Sequence, residues 1–114
     1  MSTAIFVQGD PPAFRVLLQR EEERVVVAVE GELDIATVDL LRTEVLKLAA
    51  WGRPRILLDL SRLTFADSCA IHLLLELEAA AAIDGFAFAV HLGEATPARR
   101  LLALAGLVER FASA

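Results

Sequence analysis

The chain has 114 residues, of which 56% are hydrophobic, and a single cysteine; this is about one domain with ample apolar content for one core. A lone cysteine excludes an internal disulfide and fits a reducing cytosol. The formal net charge of -5 and a pI near 4.9 argue against non-specific nucleic-acid binding and against a polybasic membrane anchor.

No charge-free apolar run reaches the roughly 18 residues needed to cross a bilayer; Leu73 to Ile83 is interrupted by Glu76 and Glu78. The N-terminus has no basic region and meets Asp10-Pro11-Pro12 early. No signal peptide and a cytoplasmic location are therefore expected. Residues 1–13 read as a flexible leader or a short extra strand, with Ala4-Ile5-Phe6-Val7 as the extended piece. Residues 14–114 read as a single domain.

Phe14 to Arg20 and Arg24 to Leu33 read as strands. The charged turn Glu21-Glu22-Glu23 between them is short enough for an antiparallel hairpin. Val25-Val26-Val27-Ala28-Val29 is rich in β-branched residues and is expected to be covered on both faces. Asp34 to Ala50 is expected to be helical. Val38, Leu41, Val45 and Leu48 share one stripe, and Asp39, Arg42 and Glu44 lie off it. Gly52 and Pro54 end that helix. Arg55 to Leu60 is the next strand, and a strand-helix-strand order of this length implies a parallel pair.

Cys69 to Ala82 reads as a second helix. It is apolar almost all round and is expected to be the most buried one. Asp84-Gly85 closes it, and Phe86 to Leu92 is a strand. Thr96-Pro97 opens a third helix as N-cap and first residue, with Leu101, Leu102, Leu104 and Ala105 as its apolar face. Gly106-Leu107 closes it, and one more short element fits between Leu107 and Ala114. The order β-β-α-β-α-β-α predicts an α/β fold: a mixed sheet with an antiparallel N-terminal hairpin and helices packed against it.

The most informative stretch is Leu57 to Ile71. It reads as a buried strand, a polar turn and a helix opened by Asp67-Ser68. The first amides of a helix have no internal partner, and its dipole favours negative charge. Free amides beside small polar side chains would suit an anion, or a hydroxyl that becomes a phosphate.

Three segments together resemble the STAS domain, the family of anti-sigma factor antagonists. The first is Gly31-Glu32-Leu33-Asp34 with Thr37 and Leu41-Arg42. The second is Leu58-Asp59-Leu60-Ser61-Arg62-Leu63-Thr64-Phe65-Ala66-Asp67-Ser68. The third runs from Pro97-Ala98-Arg99-Arg100 through Leu101-Leu102-Ala103-Leu104 to Ala105-Gly106-Leu107. Order and spacing agree from about Phe14 to Phe111.

The resemblance implies a non-enzymatic binding module without catalytic residues, cofactor or metal. Its partner would be an anti-sigma factor or a serine kinase of the histidine-kinase-like ATPase fold. Phosphorylation in the Asp-Ser-(Ser/Thr)-Gly turn would block binding, because a phosphate adds about -1.5 to -2 charges to a docking surface. The partner-binding patch would comprise Asp34, Thr37, Asp67, Ser68, Cys69, Ala70 and His72.

The usual phosphoacceptor position is Cys69 here, and the glycine after it is Ala70. One reading is a constitutive binder that no kinase switches off. Another makes Ser68 a substitute acceptor, and a third makes Cys69 a redox handle at a helix N-terminus. The bland reading is a small, inert, packed cysteine. Family members often continue beyond the Gly-Leu segment, so the ending at Ala114 raises the expectation that the last family helix is absent. An apolar face left open would favour self-association, such as a homodimer.

A second functional class is a STAS accessory subunit of a lipid-transport ABC system. A third, an enzyme with Cys69 as nucleophile, would need a depressed thiol pKa and a nearby base. His72 and His91 share no ligand spacing for zinc. Asp59 lies within a strand with neighbours that suggest an exposed face. Trp51 reads as the cover of a helix end or as an exposed anchor.

Overall fold

The expected hairpin forms in the computed structural model, which describes residues 4–8, 14–52 and 55–111. Strand β2 (Arg15–Arg20) pairs antiparallel with β3 (Val25–Leu33). At the turn the Glu21 N–H donates to the Arg24 carbonyl at 2.8 Å. Strand β1 (Ala4–Gln8) adds antiparallel to β2, from Ala4 opposite Gln19 to Gln8 opposite Arg15; the extended piece in the leader is thus a strand of the sheet. Residues 1–3 and 9–13 of the leader, Pro54 and residues 112–114 lie outside the described residues.

Strands β4 (Arg55–Ala66) and β5 (Ala87–His91) pair parallel, β4 beside β3 and β5 beside β4. The five-stranded sheet is therefore mixed and keeps sequence order, β1-β2-β3-β4-β5. The helices are α1 (Val38–Ala49), α2 (Ser68–Asp84), α3 (Pro97–Leu104) and a short α4 (Val108–Phe111).

Alternation along the strands explains the layering. Val16 and Leu18, Val25, Val27 and Val29, Ile56, Leu58 and Leu60, and Val90 are all buried and belong to one core. The helices supply its other half. The stripe Val38, Leu41, Val45 and Leu48 is the buried face of α1, as its spacing predicts. Ala98 and Leu102 of α3 and Phe111 of α4 join the same core. Residues on the opposite sheet face, such as Leu17, Val26, Ala28 and Leu57, are only half-buried. The valine-rich strand is thus covered on one face, not two. Its apolar run reflects β-propensity and shielding by neighbouring strands.

Two boundaries and one burial expectation depart from the sequence reading. Strand β4 continues through the segment expected to be a polar turn. Ser61 to Phe65 keep pairing with β3 through two register shifts, one between Ala28 and Glu30 and one between Gly31 and Glu32. Gly31 at φ 102° supplies the backbone freedom this irregularity needs. Helix α1 starts at Val38 rather than Asp34, because residues 34–37 form a turn. Helix α2 is not the most buried. Only Ala70, Leu73, Leu74 and Leu77 of its 17 residues are buried, and Ile83 is 82% exposed. Its alanines raise its apolar content, but the helix presents only one side to the core.

The third helix begins and ends as expected. Thr96 Oγ1 accepts from the Arg99 N–H at 3.1 Å, and Pro97 follows it. At the other end the Leu107 N–H reaches the Leu102 carbonyl at 2.8 Å and the Gly106 N–H reaches Ala103 at 3.1 Å. This is the paired closure that a left-handed glycine allows. Helix α4 is tied to α2 by Arg110, whose Nε donates to Glu78 at 2.9 Å.

Gly93, after β5, holds φ 73°, and a Cβ added there would stand 2.8 Å from Ser61 Cβ and 3.0 Å from Thr96 Cγ2. Gly52, at φ 91°, has nothing within 4 Å of such an atom. Both alanine variants meet the left-handed penalty of about 1–2 kcal/mol, and only Gly93→Ala adds overlap. Gly93→Ala is therefore expected to lower stability in urea unfolding clearly more than Gly52→Ala. Equal losses would show that the approach to Ser61 relaxes freely.

Candidate functional site

Parallel register sets the site. Leu33 at the end of β3 stands opposite Ala66 at the end of β4, so the next residue on each strand is an aspartate, Asp34 and Asp67. Each carboxylate folds back two residues along its own chain. Asp34 Oδ1 accepts from the Ala36 N–H at 2.9 Å, and Asp67 Oδ1 accepts from the Cys69 N–H at 2.9 Å. Both are the local side-chain turn that aspartate favours where a strand must stop.

Thr37 locks the first turn. Its hydroxyl donates to the Glu32 carbonyl at 2.8 Å and accepts from the Asp34 N–H at 3.0 Å. It makes no cap bond to α1 itself. The Gly-Glu-Leu-Asp segment with Thr37 is thus a device for leaving a strand, with Leu33 buried in the core as its anchor. Asp34 and Thr37 both remain half-exposed, and Asp34 lies close enough to the start of α2 for its charge to act on Cys69.

Asp67 is the N-cap of α2, in extended backbone. Its carboxylate takes the Cys69 N–H, and its carbonyl takes the Ala70 N–H at 2.9 Å. Those two amides, expected to be free for an anion, are therefore occupied by the chain itself. Ser68 points to solvent and Cys69 is half-buried. Ala70, expected in the patch, turns inward at 2% exposure and borders Leu60, Leu63 and Leu74. At that depth its side chain packs into the seat of the helix. His72, one turn after Ser68, is exposed.

Partial burial pushes the Cys69 thiol above its ordinary pKa, and Asp67, by hydrogen bond and charge, pushes it further, with Asp34 adding to this. These causes act against the lowering that a helix N-terminus favours.

Ser68, Cys69 and His72 form one wall of a shallow cleft of about 280 Å³, with Ile35, Val38, Asp39 and Arg42 on the other. Arg42 bridges the two helices. Its Nε donates to Glu76 at 2.9 Å, and its Nη1 also bonds Asp39. The hydrogen bond to Glu76, with a smaller one to Asp39, raises its pKa above the ordinary arginine range. The sequence reading missed this wall. Ile35 carried a usable signal: it is an apolar residue in a polar turn, outside the helical stripe, with no core to enter. It is 80% exposed.

The other candidates lie elsewhere. Asp59 is half-buried and accepts from its neighbour Ser61, at 2.9 Å from the N–H and 2.6 Å from the hydroxyl. Trp51 is 68% exposed, with the Arg20 guanidinium 5.8 Å from its ring centre. Among the described residues no group of three His, Cys, Asp or Glu side chains is placed to hold a metal, and no helix is long and apolar enough to cross a membrane.

With this geometry in view, the chain can be compared with known proteins. The family model described as Mlab, STAS domain matches residues 16–110. An anti-sigma factor antagonist from Mycobacterium paratuberculosis superposes with a TM-score of 0.69 at 28% identity, covering 90% of this chain and 86% of that one. The anti-sigma factor antagonist SpoIIAA in its unphosphorylated form gives 0.66 at 23% identity, with 81% of each chain covered. Mglu gives 0.60 at 22% identity over 69% of this chain and 20% of that one; there the same fold is part of a much larger protein. The comparison with curated proteins finds no match. The matched span runs from β2 into α4 and takes in both aspartate turns and the cleft between them, and on this evidence the chain belongs to the STAS domain family.

Proposed function

We propose that this chain is an anti-sigma factor antagonist that works by docking, with the Asp67-Ser68-Cys69 turn and the first turn of α2 at the centre of its surface. The observation that carries this reading is the likeness to an anti-sigma factor antagonist over most of both chains. The partner is then an anti-sigma factor or a serine kinase of the histidine-kinase-like ATPase fold. Asp34 flanks the patch, Ser68 and His72 present polar groups, and Thr37 and Ala70 hold its shape. The reading requires neither cofactor nor metal, and a cytoplasmic setting follows from it.

Phosphate control takes an unusual form in this reading. The thiol of Cys69 is no substrate for a serine kinase, so the domain binds constitutively unless the exposed Ser68 hydroxyl accepts the phosphate. The redox alternative is disfavoured by the raised thiol pKa, because thiolate is the reactive form. A second reading, an accessory subunit of a lipid-transport ABC system, is favoured by the same thiol: a permanent subunit needs no phosphate switch.

Titration calorimetry of the purified chain against the anti-sigma factors of its own organism tests the first reading. Binding is expected for one of them. Cys69→Ala should leave it intact, and Cys69→Asp should weaken it by at least about 100-fold, since it adds charge at a desolvated contact. Binding to an ABC ATPase subunit, with none to any anti-sigma factor, would move the chain to the second reading. Alkylation by iodoacetamide at pH 7 is expected to be slower at Cys69 than for free cysteine. Its rate should rise with pH through a midpoint above the ordinary thiol range, and Asp67→Asn, which keeps a capping oxygen, should lower that midpoint. A rate above that of free cysteine would restore the redox reading.

A further inference from the structure

The cleft between α1 and α2 combines two features that rarely coincide on a surface without a partner. The first is apolar exposure. Ile35 stands on its wall at 80% exposure, while Val38, also on the wall, is buried in the core. The second is uncompensated negative charge. Asp39 lines the cleft, Asp34 and Asp67 adjoin its lining residues Ile35 and Ser68 in sequence, and Arg42 is the one Lys or Arg among the described residues that line it.

That guanidinium is already shared between Asp39 and Glu76. Among the described residues no ion pair involves Glu32, Asp34 or Asp67. Three further arginines are committed elsewhere. Arg62 bonds Glu30, Arg99 bonds the Gly93 carbonyl and Arg100 bonds the Ala95 carbonyl.

We propose that this cleft receives an apolar side chain flanked by arginine or lysine on a partner protein, with Ile35 as the anchor and Asp34 and Asp67 as the acidic rim. The proposal rests on reading this end of the sheet as a docking surface, and it specifies the chemistry of what docks there. Ile35 supplies contact area that water does not reward. The carboxylates fix the sign of the incoming charge and speed its approach. A second copy of this chain would bring the same carboxylates against these and is disfavoured for that reason.

The test uses the intact chain and two defined probes, so it stands apart from whether any anti-sigma factor binds. An isotope-labelled sample is titrated with the capped peptide Arg-Leu-Arg-Leu-Arg and with its glutamate counterpart, following backbone amide shifts. The basic peptide is expected to move Ile35, Ala36, Ser68, Cys69 and His72 together, and the acidic peptide to move none of them. Ile35→Ser should weaken the basic peptide at least about fivefold, and raising salt from about 50 to 300 mM should weaken it further. Ile83→Ser, equally exposed at the far end of α2, is the control and should change affinity less than about twofold. Circular dichroism checks that both variants fold. Shifts scattered over the whole acidic surface, no shifts at millimolar peptide, or equal losses from Ile35→Ser and Ile83→Ser would overturn the proposal. A concentration-dependent dimer of the free chain that Ile35→Ser abolishes would also overturn it and make a second copy the occupant.

Discussion

Parallel pairing of β3 with β4 is the constraint from which the rest of the site follows. Two strands running the same way end on the same edge of the sheet, so whatever follows each of them is brought together. Here the next residue is an aspartate in both cases. Aspartate ends a strand well because its short carboxylate can take an amide two residues on. The core on the helix-bearing face holds both strands in place through Val27, Val29, Leu58 and Leu60. Packing thus fixes the register, and the register fixes the two turns.

The consequence for chemistry is that two amides at the start of α2, those of Cys69 and Ala70, are already satisfied. In many proteins an uncapped helix N-terminus is an anion site; here the anion is the protein's own Asp67. What the surface still offers is shape, exposed apolar area and negative charge. Those are means of protein recognition. Partial burial first, and then the same carboxylates, push the Cys69 thiol pKa upward, which runs against the reactivity its place in the sequence suggests.

Much of this was legible in the residues. The α1 stripe Val38, Leu41, Val45 and Leu48, the Thr96-Pro97 start of α3 and its Gly106-Leu107 closure each rest on local rules, and each forms as written. What stayed hidden depends on partners distant in the chain. Ser61 to Phe65 reads as a turn because its polarity does not alternate, and its pairing with β3 proceeds through register shifts that no local pattern encodes. Asp34 to Thr37 reads as helix because Val38 and its stripe follow at once. The turn appears only when the Thr37 hydroxyl is seen bridging Glu32 and Asp34. The burial of Ala70 also stayed hidden, because a family motif gives a position and not a side-chain direction.

The shifted pairing along β4 also makes chain length a structural variable. From Asp59 to Ala66 the strand takes more residues than its partner stretch of β3 to reach the same level. That surplus acts as a ruler that brings Asp67 level with Asp34. Removing one residue anywhere in the interval would set Ser68 where Asp67 now stands, leaving α2 with a different cap and a different face toward α1. Insertions and deletions in this stretch therefore act on the surface itself, even when every residue of the surface is unchanged.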